Sequence, residues 1–376
     1  MYRYRTAKTR PYRGDYASSV WKRYLNGTTS RERQTLHTAP DLYGEKRVKI
    51  KTILLYSMIF LAVALISPWI GPESIDAAKV LHFIQGDINP DGEIFWHQRV
   101  PRVLLGLLAG GGLALVGASF QVLFRNPLVE PFTLGMSGGS ALGAFLTISI
   151  PSLWVVWGPL SSVQIFALGG SAACLTLIYS LAKRPQGMAV HTLLLAGVTI
   201  SIICSGAILL LTYLSNPNAI VMFQRWMMGG IDVIGYGELV SLCPLLFPGL
   251  GILFFHANDL NHISLSEEIA LGHGVAVKKV KRNVFIGGGL TTAAIVSLVG
   301  PIGFVGLIIP HSVRRLIGFD QRLVLPCSFL LGGAALAACD SIARTILAPT
   351  ELPVGIITAI VGGPLFIYLL VSRYRI

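Results

Sequence analysis

RVPRVLLGLLAGGGLALVGASFQVLFRNPLVEPFTLGMSGGSALG, residues 99–143, opens with two arginines and then runs through 22 uncharged residues, Val103 to Phe124. It turns at Arg125-Asn126-Pro127 and starts a second apolar run crowded with glycine and serine. One helix needs about 20 apolar residues to cross a bilayer core. Small residues at this density let neighbouring helices approach closely. The stretch therefore reads as a membrane hairpin of tightly packed helices, with two arginines held at one membrane surface.

The rest of the chain has the same character. Of 376 residues, 53% are hydrophobic and 13% are charged, against about 25% charged in ordinary globular domains. The mean hydropathy is +0.66. This composition describes a polytopic membrane protein set in a lipid bilayer. The net charge of +12 is concentrated: residues 1–51 hold 13 of the 30 Lys/Arg and 4 of the 18 Asp/Glu. The basic excess thus belongs to a polar N-terminal tail, read as disordered and cytoplasmic, and no nucleic-acid partner is expected. Residues 52–376 form the membrane domain. The first apolar run, 52–70, is too long for the core of a signal peptide and reads as a signal anchor.

Taken in order, the apolar runs predict helices at 52–70, 103–124, 132–150, 160–182, 190–214 and 238–256. Residues 283–313 then lack any charged side chain. One long helix there would put Lys278–Arg282 and Arg314-Arg315 on opposite membrane faces, against the positive-inside rule. A break at Gly300-Pro301 gives two shorter helices and keeps both clusters inside. Helices at 323–343 and 354–372 complete an all-α fold of ten transmembrane helices, both termini cytoplasmic. Residues 75–85 have helical spacing on the outer side. Residues 218–237 are too polar to span and read as a short interfacial or re-entrant helix. Residues 258–282 form the longest internal loop after the tail.

No P-loop, HExxH, nucleophile elbow or calcium-loop pattern occurs, and carboxylates within the spans are nearly absent. The chain is therefore read as a transport subunit without catalytic residues, metal ligands or cofactor. Because ion-coupled carriers usually need ionisable groups at mid-membrane, the driving energy is expected from another subunit. Five cysteines lie in or beside apolar runs with no CxxC pair and read as packing residues. Four arginines stand against the charge rule, on the outer face: Arg99, Arg102, Arg225 and Arg344. Asp340 lies one helical turn before Arg344 and is placed to pair with it. Arg99 and Arg102 suit either neutralisation by lipid phosphate or the acidic outer loop, or a cationic rim that docks an acidic partner.

The ordered motifs resemble the FecCD family. They are Arg99-Val100-Pro101-Arg102, Gly117-Ala118-Ser119-Phe120-Gln121, Arg125-Asn126-Pro127-Leu128 and Gly135-Met136-Ser137-Gly138-Gly139. In the second half they are GPIGFVGLIIPH at 300–311, Asp340-Ser341-Ile342-Ala343-Arg344 and Glu351-Leu352-Pro353-Val354-Gly355. FecCD proteins are permease subunits of type II ABC importers for iron-siderophores, haem and cobalamin. The resemblance implies a second permease subunit, two ATPase subunits on the cytoplasmic face, and a periplasmic or lipid-anchored binding protein. It implies binding-protein docking at Arg99, Arg102 and Arg344. It also implies ATPase coupling through 265–275, with Glu267, Glu268, Leu271 and Gly272. The expected function is import of an iron(III)-siderophore or related chelate across the inner membrane by alternating access. Haem or cobalamin import is the alternative, with an ion-coupled secondary transporter the rival of a different class.

Overall fold

The computed structural model describes residues 42–373 except 155, 158, 159, 185 and 186. The chain divides into two units, residues 1–51 and 52–376. The tail expected at 1–51 falls outside the described residues as far as residue 41.

Helices dominate the described residues. A long first helix, α1 (Leu42–Ile66), is followed on the outer segment by α2 (Ala77–Ile84) and α3 (Pro90–Ile94). A single π turn, Phe95–Arg99, leads into α4 (Val100–Leu123). Next come α5 (Met136–Ser149), α6 (Ser162–Ala182), α7 (Val190–Leu214) and the short α8 (Pro217–Met227). Then α9 (Gly237–Phe255) leads to two short helices, α10 (Ala257–Leu265) and α11 (Glu267–Gly272). Last are α12 (Val277–Val299), α13 (Val305–Ile317), α14 (Gln321–Thr345) and α15 (Val354–Arg373). The ten expected membrane helices correspond to α1, α4, α5, α6, α7, α9, α12, α13, α14 and α15. Two small antiparallel hairpins, β1–β2 (Val156–Trp157 with Leu160–Ser161) and β3–β4 (Lys183–Arg184 with Gly187–Met188), flank α6.

The quoted hairpin lies at the centre. Of the 24 residues of α4, 20 are buried. Its glycines explain how a helix can be enclosed on every side. A Cβ on Gly117 would lie 1.9 Å from the Gly306 carbonyl oxygen, and one on Gly110 would lie 2.3 Å from that of Gly332. Helix backbones therefore touch directly at α4–α13 and α4–α14. A Cβ on Gly139 would likewise meet the Gly170 carbonyl at 2.4 Å, joining α5 to α6.

Among the described residues, seven helices are long and apolar enough to cross a membrane. Two that correspond to expected spans are short. With 14 and 13 residues, α5 and α13 each reach about 20 Å, less than the ~30 Å hydrocarbon core. Each is preceded by irregular backbone. The run expected as one helix over 132–150 starts instead as a 3-10 turn, Pro131–Leu134, and Gly135 at φ 80°. Ahead of α13 the chain breaks at Gly300 (φ 69°) and Phe304 (φ 70°). The two irregular pieces meet: the Phe304 N–H donates to the Glu130 carboxylate at 3.3 Å. Unpaired backbone cannot persist in hydrocarbon, so such breaks stay buried in protein.

The boundaries differ most at α12, which begins at Val277 rather than 283. Lys278–Arg282 thus form its first turns rather than the preceding loop. A helix N-terminus is unfavourable for cations. The buried Lys281 is compensated by an ion pair with Glu267 at 2.6 Å.

Replacing Gly117 with Val forces α4 and α13 apart. It is expected to destabilise by about 1–3 kcal/mol, the usual cost of overpacking. Gly206→Ala, where nothing lies within 4 Å of the added methyl, is the matched control and should leave stability unchanged or slightly raised. Thermal unfolding of the detergent-solubilised protein, read by size-exclusion fluorescence, compares them.

Candidate functional site

Two groups of polar residues occupy opposite ends of the bundle. At the outer end, α14 carries Asp340 and Arg344 one turn apart, and both are almost fully enclosed. Arg344 Nε lies 3.1 Å from Asp340 Oδ2, the pairing that the four-residue spacing predicted. Arg102, on the first turn of α4, binds the same carboxylate: its Nε reaches Oδ1 and Oδ2 at 3.2 and 3.1 Å, and Nη2 reaches Oδ1 at 3.0 Å. Its Nη1 donates to Glu351 Oε2 at 2.6 Å. Asp340 therefore sits between two guanidiniums, and Arg102 bridges it to a more exposed carboxylate.

Arg99 is 5% exposed. Its guanidinium donates to the main-chain carbonyls of Pro68 and Trp69 at 3.4 and 3.3 Å and to that of Glu73. It pins the outer segment after α1 against the start of α4. Arg99, Arg102 and Arg344 are thus brought together, as the sequence pattern implied, and share one cavity of about 490 Å³ with Glu73, Asp232 and Glu351. Arg102 also lines a second cavity of about 1020 Å³ with Arg225, Trp226, Met222 and Met228. Arg225, exposed on α8, is the fourth outer arginine.

At the opposite end, Ser266 caps α11 by accepting from the Ile269 N–H at 2.9 Å. Glu267 is held by Lys281. Glu268 faces solvent, and hydrogen bonds from its own backbone N–H and from Ser266 hold its carboxyl below the usual carboxylate range. Leu265 and Leu271 are 70% and 62% exposed, beside an exposed Ile269. Gly272 has open space around it. A short acidic helix with bare aliphatic side chains is a surface suited to a protein partner.

The sequence reading named Asp340 as a partner of Arg344 but missed Arg102 and Glu351. Those contacts join residues 238 and 249 positions apart, and no local spacing could have indicated them.

Comparison with known proteins agrees with this architecture. The profile of the FecCD transport family matches residues 59–372. The cobalamin import system permease protein BtuC of Halobacterium salinarum is 38% identical over 275 residues, 73% of this chain and 72% of that protein. The hemin transport system permease protein HmuU of Yersinia pestis is 36% identical over 285 residues, 75% of this chain and 85% of that protein. The solved inward-facing structure of a candidate metal-chelate type ABC transporter is 30% identical, with a TM-score of 0.73. The alignment covers 86% of this chain and 99% of that one.

Removing one partner of a buried ion pair strands the other charge, at about 3–5 kcal/mol. Asp340→Asn should therefore lower the apparent melting temperature strongly, because Arg344 is 2% exposed and its close ion pair is with Asp340. Glu351→Gln, at a side chain 38% exposed, should cost about 1 kcal/mol or less. The same thermal assay separates the two.

Proposed function

The chain belongs to the FecCD transport family, and on that premise we propose that it is the permease subunit of a type II ABC importer that carries a metal chelate into the cytoplasm, an iron(III)-siderophore first among them. This reading is supported by two clusters of polar residues at opposite ends of one bundle, the arginine network around Asp340 and the acidic helix α11. The protein sits in the inner membrane with both termini cytoplasmic. A second permease subunit, a copy or a paralogue, completes the pathway. Two ATPase subunits meet α11 through Glu267, Glu268, Leu271 and Gly272. ATP-driven closure of those subunits moves α11 and switches the helices between outward and inward access.

A binding protein docks at the outer end. Arg102 is the contact residue of this site, because its side chain is 14% exposed and reaches both cavities. Arg99 and Arg344 hold the frame around it. A carboxylate on the binding protein would take the place that Glu351 now holds on Arg102. The 1020 Å³ cavity beside Arg102, with Trp226, Met222 and Met228 on its wall, supports a bulky, partly apolar cargo. Cobalamin or hemin is the second reading, favoured by the names of two relatives.

Proteoliposomes holding the permease, its ATPase and its binding protein should take up a ferric hydroxamate siderophore only with ATP inside, and cyanocobalamin and hemin serve as competing substrates. Preferred uptake of either competitor moves the assignment to it. Uptake driven by an ion gradient with no ATPase present overturns the importer reading. Arg102→Glu should weaken binding-protein affinity about tenfold or more at low salt, with a smaller effect at high salt as screening grows. Equal affinity for mutant and wild type at both ionic strengths removes Arg102 from the docking site.

A further inference from the structure

The N-terminal end of α14 is clamped to α10, the helix that leads into α11. Asp320 caps α14, accepting from the Arg322 N–H at 3.1 Å. Asn261, on α10, engages this cap with both ends of its carboxamide. Its Oδ1 accepts from the Gln321 N–H at 2.6 Å, and its Nδ2 donates to Asp320 Oδ1 at 2.7 Å. One turn earlier on the same face of α10, Asn258 Oδ1 accepts from the Arg322 guanidinium, with Nε at 3.1 Å. Two asparagines three residues apart thus grip the first turn of α14. Beneath them Leu260 and Ile263 are fully buried, and Arg125 donates to the Ile263 carbonyl at 3.0 Å.

This clamp differs from ordinary packing. The Gln321 N–H is one of the first donors of α14, which have no partner within their own helix. Asn261 supplies that partner in a fixed direction, so α10 cannot rotate or slide against α14 without losing both bonds. The helix is continuous from Gln321 to Thr345, about 37 Å at 1.5 Å per residue. Its far end carries Asp340 and Arg344. One continuous helix, with Pro326 near its start, therefore has the arginine network at one end and, through Asn261, α10 at the other.

We propose that Asn261 is a positioning residue that ties the ATPase-facing segment to α14, so that docking at the outer arginine network is communicated to ATP hydrolysis through this helix. The proposal rests on the reading of α11 as the ATPase contact. Asn261 itself lies on α10, outside that contact. Communication needs an element whose position both sites bias. The clamped α14 is such an element.

The test uses the complete complex of permease, ATPase and binding protein in nanodiscs. The readout is the change in ATP hydrolysis, in either direction, when the binding protein is added. Asn261→Ala should still assemble with the ATPase and hydrolyse ATP at about the wild-type basal rate, while the response to binding protein falls about fivefold or more. Asn261→Asp should do the same, since it sets a second carboxylate against Asp320. The exchange Asn261→Asp with Asp320→Asn restores a donor–acceptor pair and should restore the response. An unchanged response in Asn261→Ala, or an exchange variant as impaired as Asn261→Asp, overturns the proposal. If Asn261→Ala fails to assemble, the comparison of Asn261→Asp with the exchange variant decides. Glu267→Arg with Glu268→Arg examines the underlying reading separately. Normal ATPase assembly in that variant refutes the α11 contact, whatever the Asn261 variants do.

Discussion

Asp340 sits with 1% of its surface exposed between the guanidiniums of Arg102 and Arg344. A charge so enclosed is tolerated only when it is paired and hydrogen-bonded. That requirement decides which helices are neighbours at the outer end. Arg344 is on the same helix as Asp340, but Arg102 comes from α4, so α4 and α14 must be side by side and in register. The glycine contact between Gly110 and Gly332 makes the same two helices approach backbone to backbone. This site is therefore built on a helix pair in direct backbone contact, and its geometry follows from packing below it.

The same exclusion of water governs the interrupted helices. Where α5 and α13 stop short of a full span, the freed backbone is answered from within the protein, by Glu130 at Phe304. Glu130 lies between two of the quoted motifs, 125–128 and 135–139, and belongs to neither. In the fold it serves the start of a half-length helix 174 positions away. Irregular backbone inside a membrane protein is confined to places where protein surrounds it, and here it is sealed against the central helix α4.

The inner end follows a different logic, because water is available there. The buried Lys281 takes a charge partner, Glu267, while Glu268, Leu265 and Leu271 stay open to solvent. Besides the Lys281–Glu267 ion pair, directional bonds form there between asparagines and a helix cap. They fix how α10 sits on α14. The exposed α11 is then left as a surface whose position is set by its neighbours.

Much was legible in the chain itself. Composition and run length establish a polytopic helical protein, since a bilayer core demands long uncharged segments and few other sequences contain them. The break at 300–301 could be located because charge clusters on both sides had to lie on one face. The Asp340–Arg344 pair was visible because four residues make one helical turn. What the tertiary structure alone decided is which distant segments share an enclosed charge. Of the four arginines that pattern put on one face, Arg99, Arg102 and Arg344 are largely buried, with Arg102 joined to Asp340 and Glu351, while Arg225 is exposed. No sequence spacing encodes contacts across 238 or 249 residues. They exist because glycine-lined helices pack closely enough to shut out water, and a charge shut off from water takes the nearest opposite charge.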